Sequence, residues 1–323
     1  MSRQNPSFSA AAAPVVYCFG AVHMDTIAHA RELVRPDTST PARLTSTPGG
    51  VASNVARALV PLGVQSHLFG ACGEDATGHS LADALWRSGV QAHLIKRPGH
   101  ATGRYIAFHD PDGTLAAACV DDEVLETAPA DLFDDLFQTA AAGQHSALWF
   151  ADANMPAALL ARVAEMAPQG SLVLDGVSRA KVRRLRPVLQ QAELVFLNRS
   201  EATVLVEDAL NARSDRLPDI PLRDLADGVM ELGPRSVVIT LGGGGLFLAQ
   251  DEHRTRVSAL KADVVDTTGA GDALIAGTIA GIARTLPLDM AVRAGQQAAR
   301  LTLEHTGSVA PGLSWEVISS QAE

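Results

Sequence analysis

The sequence predicts an α/β protein: an open, mostly parallel sheet flanked by helices, with a small β-sheet projecting from it. Three observations carry this. Short apolar runs that end in Gly or a polar residue recur along the chain; helical apolar patterns lie between them; and one stretch breaks the rhythm with two β-like runs around a turn. At 323 residues the chain is long enough for a sizeable core without a metal or disulfide staple.

Taken in order, residues 1–14 are Ser/Ala/Pro-rich and lack the apolar run of a signal peptide, so a frayed tail is expected ahead of a domain spanning 15–318, with a second short tail at 319–323. Val15 to Gly20 is the first strand, and the runs 171–175, 194–198 and 236–240 repeat its shape. Residues 156–166 and 222–232 carry helical patterns between strands. The runs 102–109 and 114–120 flank Asp110-Pro111-Asp112-Gly113, a turn-forming tetrapeptide, and predict a hairpin; with about 26–47 it makes the small sheet, expected to act as a lid. Leu241 to Gly245 is glycine-rich but leads into the strand-like Leu246 to Ala249, so it reads as a hairpin turn and not as a dinucleotide fingerprint. In such a sheet ligands belong at the carboxyl ends of the strands, where Asp25, Asp175, Asn198 and Thr240 fall.

Composition removes several function classes. Lys+Arg 26 against Asp+Glu 36 leaves a net charge of −10, which argues against non-specific duplex binding. Cys18, Cys72 and Cys119 are scattered, with no even framework and no metal-type pairing, as in a reducing compartment. Apolar stretches are broken well short of a membrane span, so a soluble, cytoplasmic protein without nucleic-acid or membrane partners is expected. The ten histidines form no zinc motif, no Walker sequence occurs, and Ser53 and Ser178 lack a G-x-S-x-G setting. His23, two residues before Asp25, reads as a packing or surface residue; Arg104, Lys181 and Arg199, taken one by one, read as solvated charges.

The sharpest chemical signal is Asp266-Thr267-Thr268-Gly269-Ala270-Gly271-Asp272, a small-residue turn opening an apolar helix. Main-chain N–H groups at 269–271 can converge on an anion at the helix start, and Asp272 beside them suits proton transfer from an attacking hydroxyl. The same spacing also fits a helix N-terminal carboxylate with no catalytic role.

Together, and in order, the motifs resemble the ribokinase-like (PfkB) family of carbohydrate and nucleoside kinases, over about Val15 to Pro311. They are Gly20 to Asp25, the di-glycine segment Pro48 to Ala56, Gly70 to Gly78, Asn198-Arg199-Ser200-Glu201 and Asp266 to Asp272. The resemblance implies an ATP-dependent kinase with Mg²⁺. It makes Asp272 the general base and Gly269, Ala270 and Gly271 an anion hole. It gives Asp25, Gly49, Gly50, Asn54 and Arg104 to the acceptor, and Thr240, Gly242, Gly269, Gly271 and Gln297 to the nucleotide. Asn198 and Glu201 would hold Mg²⁺ through water, and Asp266 and Thr268 a monovalent cation such as K⁺. Leu274 stands where an aromatic is usual, and Gln297 replaces an Asn that often contacts adenine. Residues 103–108, 152–156 and 175–181 are most similar to the pseudouridine-kinase branch, which implies transfer to the 5′-hydroxyl of a C-nucleoside, although Gly176 and Val182 depart from that branch's D-P-V-S-x-x-K-A. Alternatives are a kinase for ribose, ketodeoxygluconate, adenosine or a fructose phosphate, and a non-catalytic sugar- or nucleoside-binding regulator on the same fold. An exposed face of the small sheet is expected to be covered by a second copy, giving a homodimer through the lids.

Overall fold

The structure, a computed structural model, describes residues 13–141, 147–209 and 220–320. Of the two expected tails, residues 1–12 and 321–323 lie outside the described residues. The strands are β1 (Val15–Phe19), β2 (His23–Ala30), β3 (Ala42–Gly49), β4 (Gln65–Cys72), β5 (Gln91–Lys96), β6 (Arg104–His109), β7 (Leu115–Asp121), β8 (Leu148–Asp152), β9 (Leu172–Asp175), β10 (Leu194–Asn198), β11 (Ser236–Thr240), β12 (Leu246–Gln250) and β13 (His253–Val257). Helices α1 (Val51–Leu59), α2 (Ala76–Arg87), α3 (Glu123–Glu126), α4 (Asp134–Ala141), α5 (Ala157–Met166), α6 (Arg199–Ala209), α7 (Leu222–Met230), α8 (Ala270–Ile282), α9 (Leu288–Leu303) and α10 (Trp315–Ser319) join them. The last helix runs into the stretch expected to be a C-terminal tail.

Nine strands form the main sheet in the order β13-β12-β11-β10-β9-β8-β1-β4-β5, all pairings parallel except β11–β12 and β12–β13, so that β12 alone runs the other way. Residues 241–245 close the β11–β12 hairpin, as the sequence predicts. Period-two alternation sorts β1 cleanly. Val15, Tyr17 and Phe19 face the core shared with α5, α6 and α7, whereas Val16 and Cys18 face the core shared with α1, α8 and α9. Phe19 lies between Phe69 (ring centroids 4.6 Å apart) and Trp149 (4.8 Å). A strand buried on both faces reads as an unbroken apolar run, which is why these strands are visible in sequence.

Four strands, β3-β2-β6-β7, form the separate small sheet. The β6–β7 hairpin turns on Asp110 to Gly113: the Gly113 N–H donates to the Asp110 carbonyl at 2.9 Å, and the ladder is irregular between Phe108 and His109. The main sheet's parallel strands end on one edge. There Asp152 is the register partner of Asp175, and Asn198 of Thr240.

On the β4–β5 edge, His67 Nδ1 lies 3.2 Å from His93 Nε2 and the His93 ring stacks on Phe69. Burial lowers the pKa of both imidazoles, and His93 lowers His67 further. Both pKa values are depressed on folding, so the pair's contribution to stability is whole above the unfolded pKa of about 6.5 and is lost as pH falls below it. Melting temperature followed from pH 8 to pH 5 is expected to fall, and His93→Gln is expected to flatten that fall.

Candidate active site

The site is assembled from the carboxyl edge of the main sheet, the starts of α1, α6 and α8, and the small sheet. Asp152 ends β8 with no exposed surface. One carboxylate oxygen accepts the Ala21 N–H at 3.0 Å and the Ala52 N–H at 2.9 Å; the other accepts the Asn154 N–H at 2.9 Å. This ties the end of β1 to the start of α1. The di-glycine pair makes the junction possible: a Cβ on Gly50 (φ 96°) would sit 2.2 Å from the Ala21 carbonyl oxygen, and one on Gly49 2.2 Å from the Asp25 carboxylate. Asp25 lies 2.8 Å from His23 Nδ1. His23 is therefore a partner of the site's carboxylate, not the packing or surface residue expected.

From α1, Asn54 Nδ2 donates to Asp272 Oδ2 at 2.8 Å. Asp272 stands in the first turn of α8, partly open to the cleft. Burial, then Asp152 and Asp25, push it up to about 7 against the opposing pull of the Asn54 hydrogen bond and His23. A carboxyl at that value exchanges its proton near neutral pH, which suits a general base. Gly269 caps α8 at φ 75°, in the left-handed region, with Ser308 against it: a Cβ there would lie 2.6 Å from Ser308 Cα. A Cβ on Gly271 would meet open space.

Two cavities meet at Thr240, Gly271 and Leu274. The larger, about 620 Å³, extends past Gly242, Leu260, Val264 and Ala299, with the apolar walls and few polar groups that suit a nucleotide base. The smaller, about 180 Å³, is lined by Asp175, Asn198, Glu201 and Asp272. Here N-x-x-E is a reciprocal helix cap: Asn198 Oδ1 accepts the Glu201 N–H at 3.0 Å, and Glu201 Oε2 accepts the Asn198 N–H at 2.9 Å. Glu201 Oε1 accepts from Asn198 Nδ2 as well. All-oxygen donors of this kind fit a hard cation. Among the described residues no three His, Cys, Asp or Glu side chains converge as a direct metal site.

Asp175, unassigned from sequence, faces the same cavity. Burial first, then Glu201, Asp272 and Asp152, raise it well above the usual carboxylate range, opposed by the Val177 N–H at 3.0 Å. Asp266 is the reverse. Its pKa lies below the ordinary value because, against burial, its oxygens accept the main-chain N–H groups of Gly307 (3.0 Å) and Thr268 (2.9 Å). Asp75 is held at about 2, again against burial, by the Thr102 N–H and hydroxyl and the Gly78 N–H, joining α2 to the entrance of β6.

Four sequence expectations move. Arg104 does not share a face with Asp25: strand register pairs Asp25 with Tyr105 and Met24 with Arg104, and the guanidinium donates to Thr77 on α2. Gln297 lies off the wall of the larger cavity, which its neighbour Gln296 lines, and it accepts from Arg300 Nε at 3.2 Å. Lys181 is no solvated charge, since its Nζ contacts Asp122 Oδ2 at 2.5 Å, Asn154 Oδ1 at 3.0 Å and Glu126 Oε1 at 3.2 Å. Arg199 likewise bonds the Ile220 carbonyl at 2.9 Å.

A carboxylate of raised pKa in the first turn of a helix, lining one of two cavities that meet beside it on a doubly wound sheet, is an arrangement that suits a phosphotransferase. The family described as pfkB family carbohydrate kinase matches residues 14–315, and the chain belongs to it. It is an ATP-dependent kinase acting on a sugar or nucleoside hydroxyl. A pseudouridine kinase of Escherichia coli strain K12 is 28% identical over 310 residues, 95% of this chain and 96% of that protein. A fructokinase of Salmonella typhimurium is 29% identical over 77% of this chain and 81% of its own. A carbohydrate kinase from Agrobacterium tumefaciens superposes with a TM-score of 0.82 at 24% identity, covering 96% of this chain and 97% of that one.

The two glycines of the α8 start separate fold from function. Gly269→Ala is expected to cost about 1–3 kcal/mol of stability through backbone strain and collision with Ser308. Gly271→Ala is expected to keep or slightly raise the melting temperature, as Ala does in helices, while lowering turnover about tenfold or more by placing a methyl where the cavities meet. Thermal melts and ADP formation on both variants check this.

Proposed function

We propose that this kinase transfers the γ-phosphoryl of ATP to the 5′-hydroxyl of pseudouridine, with Asp272 as general base. The observation that carries the acceptor is the Lys181–Asn154 contact at 3.0 Å. It joins the two middle motifs, 152–156 and 175–181, that set the pseudouridine-kinase branch apart in sequence, and the full-length likeness to a pseudouridine kinase points the same way. A neutral acceptor fits the charges. Arg57, Arg104, Lys181 and Arg184 are each engaged by protein partners, whereas a sugar phosphate calls for cations kept for its phosphate.

In this reading Asp25, Asn54 and the glycine backbone at 49 and 50 hold acceptor hydroxyls, and Asp272 takes the proton of the attacking hydroxyl. The N–H groups of 269–271 face the charge that develops on the transferred phosphoryl group. Mg²⁺, held by Asn198 and Glu201 through water, supplies charge neutralisation on the phosphates. Both Asp266 oxygens accept main-chain N–H groups, so a monovalent cation near Asp266 and Thr268 would rely chiefly on main-chain carbonyls. The small sheet closes over the acceptor to exclude water, and its outer face, which exposes Leu44 and Phe108, pairs with a second copy. The free thiols Cys18, Cys72 and Cys119 suit a cytoplasmic location.

ADP formation from MgATP with pseudouridine, uridine, adenosine, ribose, fructose, fructose 6-phosphate and 2-keto-3-deoxygluconate tests the acceptor. Pseudouridine is expected to show the highest kcat/KM, and a preference for any other member overturns the assignment. Asp272→Asn is expected to lower kcat by about 10²–10⁴ with KM little changed. Because the base must be ionised, activity is expected to fall as pH drops through about 7.

A further inference from the structure

We infer that Arg57 is a positioning residue for phosphoryl transfer: it fixes the orientation of the Asn54 carboxamide, so that Asn54 presents only its N–H₂ to Asp272. The inference rests on the reading of Asp272 as the base. Arg57 follows Asn54 by three positions on α1, and its Nη1 donates to Asn54 Oδ1 at 3.3 Å, to the Pro48 carbonyl at 2.7 Å and to Ser308 Oγ at 3.2 Å. One guanidinium thus grips the strand that delivers Gly49 and Gly50, the carboxamide that touches the base, and the residue that backs Gly269.

The orientation follows from donor and acceptor types. A guanidinium only donates, and an ionised carboxylate only accepts. With Arg57 on Oδ1, the Nδ2 group of Asn54 must face Asp272, as it does at 2.8 Å. That contact favours the ionised, proton-accepting carboxylate. A protonated Asp272 would instead be served by a flipped amide offering Oδ1, and the flip would turn the N–H₂ group toward the guanidinium, donor against donor. Arg57 therefore penalises the wrong protonation state of the base through Asn54, without touching Asp272.

The other charged groups around Asp272 are His23 and Asp25 on β2, Asp152 on β8, Asp175 on β9 and Glu201 on α6. Asp25 and Asp152 work against ionisation of Asp272, so the donated Asn54 hydrogen bond is one of the few influences in its favour.

The test compares Arg57→Met and Arg57→Lys with the wild type, using MgATP and the acceptor with the highest turnover in the panel, over pH 5.5 to 9. Arg57→Met is expected to move the acid limb of kcat up by about one pH unit. The variant then loses about tenfold at pH 6 and less than about twofold at pH 8.5. Arg57→Lys, whose ammonium can still donate to Asn54 Oδ1, is expected to restore the wild-type limb. If Arg57→Met does not fold, Arg57→Leu, shorter and without a donor, is expected to show the same shift. An unmoved limb overturns the inference, whether activity is retained or falls equally at every pH, since a brace with only a structural role lowers all rates together. Asp272→Asn run in parallel separates the two readings. If that variant keeps full activity the base assignment fails; if it is inactive while the Arg57 limb is unmoved, only the role of Arg57 fails.

Discussion

The carboxylate of Asp152, sealed from solvent, collects main-chain N–H groups from Ala21, Ala52 and Asn154, and most of the site hangs from that contact. The first comes from the exit of β1, the second from the first turn of α1 and the third from the loop leaving β8. A charge with so little water around it is tolerable only because both oxygens are satisfied, and the satisfied geometry leaves little freedom to the three segments. Gly20 and Gly50 carry no side chain where they pass the contact: a Cβ on Gly20 would lie 2.3 Å from Asp152 Oδ2. With α1 fixed, Asn54 is fixed, and with it the group that faces Asp272. A buried strand-end carboxylate thus sets where Asn54 stands relative to Asp272.

The cost is an excess of negative charge. Asp152, Asp175, Glu201 and Asp272 all have their pKa driven upward by burial, and repulsion from neighbouring carboxylates adds to it at Asp175 and Asp272. Hydrogen bonds oppose the rise. Glu201 is offset by the N–H and carboxamide of Asn198, whereas Asp272 has Asn54 alone as a named donor. The same field would repel a bare polyphosphate, so a nucleotide arriving with a bound cation is the electrostatically sensible partner for this cleft. In the proposed reading the acidity that raises Asp272 thus also favours a cation-bound co-substrate.

The fold was legible because its strands are buried on both sides. Val15 to Phe19 and Leu194 to Leu197 leave no polar position by which to mistake them, and Asp110 to Gly113 announces its hairpin through turn chemistry. The site was legible where one local motif makes one local structure, as at 266–272 and 198–201. It was not legible where facing matters. Arg104 and Tyr105 are adjacent in sequence and on opposite faces in the sheet, and Gln296 and Gln297 differ by one helical step that decides which meets the cavity. Asp152 carried a signal in hindsight, a carboxylate closing a wholly apolar strand, and Arg57 carried a weaker one in its i,i+3 spacing from Asn54. Neither could be assigned a partner without the long-range pairing that only folding supplies.

Pairing also explains why cations, the residues most often enlisted to recognise phosphate, say so little about this acceptor when counted along the chain. Lys181 joins Asp122 just past β7 to Asn154 just past β8, and Arg184 bonds Glu126 and the Ala153 and Asn154 carbonyls. These cations connect the small sheet's exit to the segments that follow β8 and β9. Their charge is answered before any substrate arrives. In the proposed reading the acceptor meets a preset polar wall, with Asp25 and Tyr105 as register partners on the small sheet. Such a wall discriminates by hydrogen-bond pattern and shape. On the proposed reading a neutral, hydroxyl-rich molecule satisfies it, and one bearing a phosphate would have to dismantle an ion-pair network to find a counter-charge.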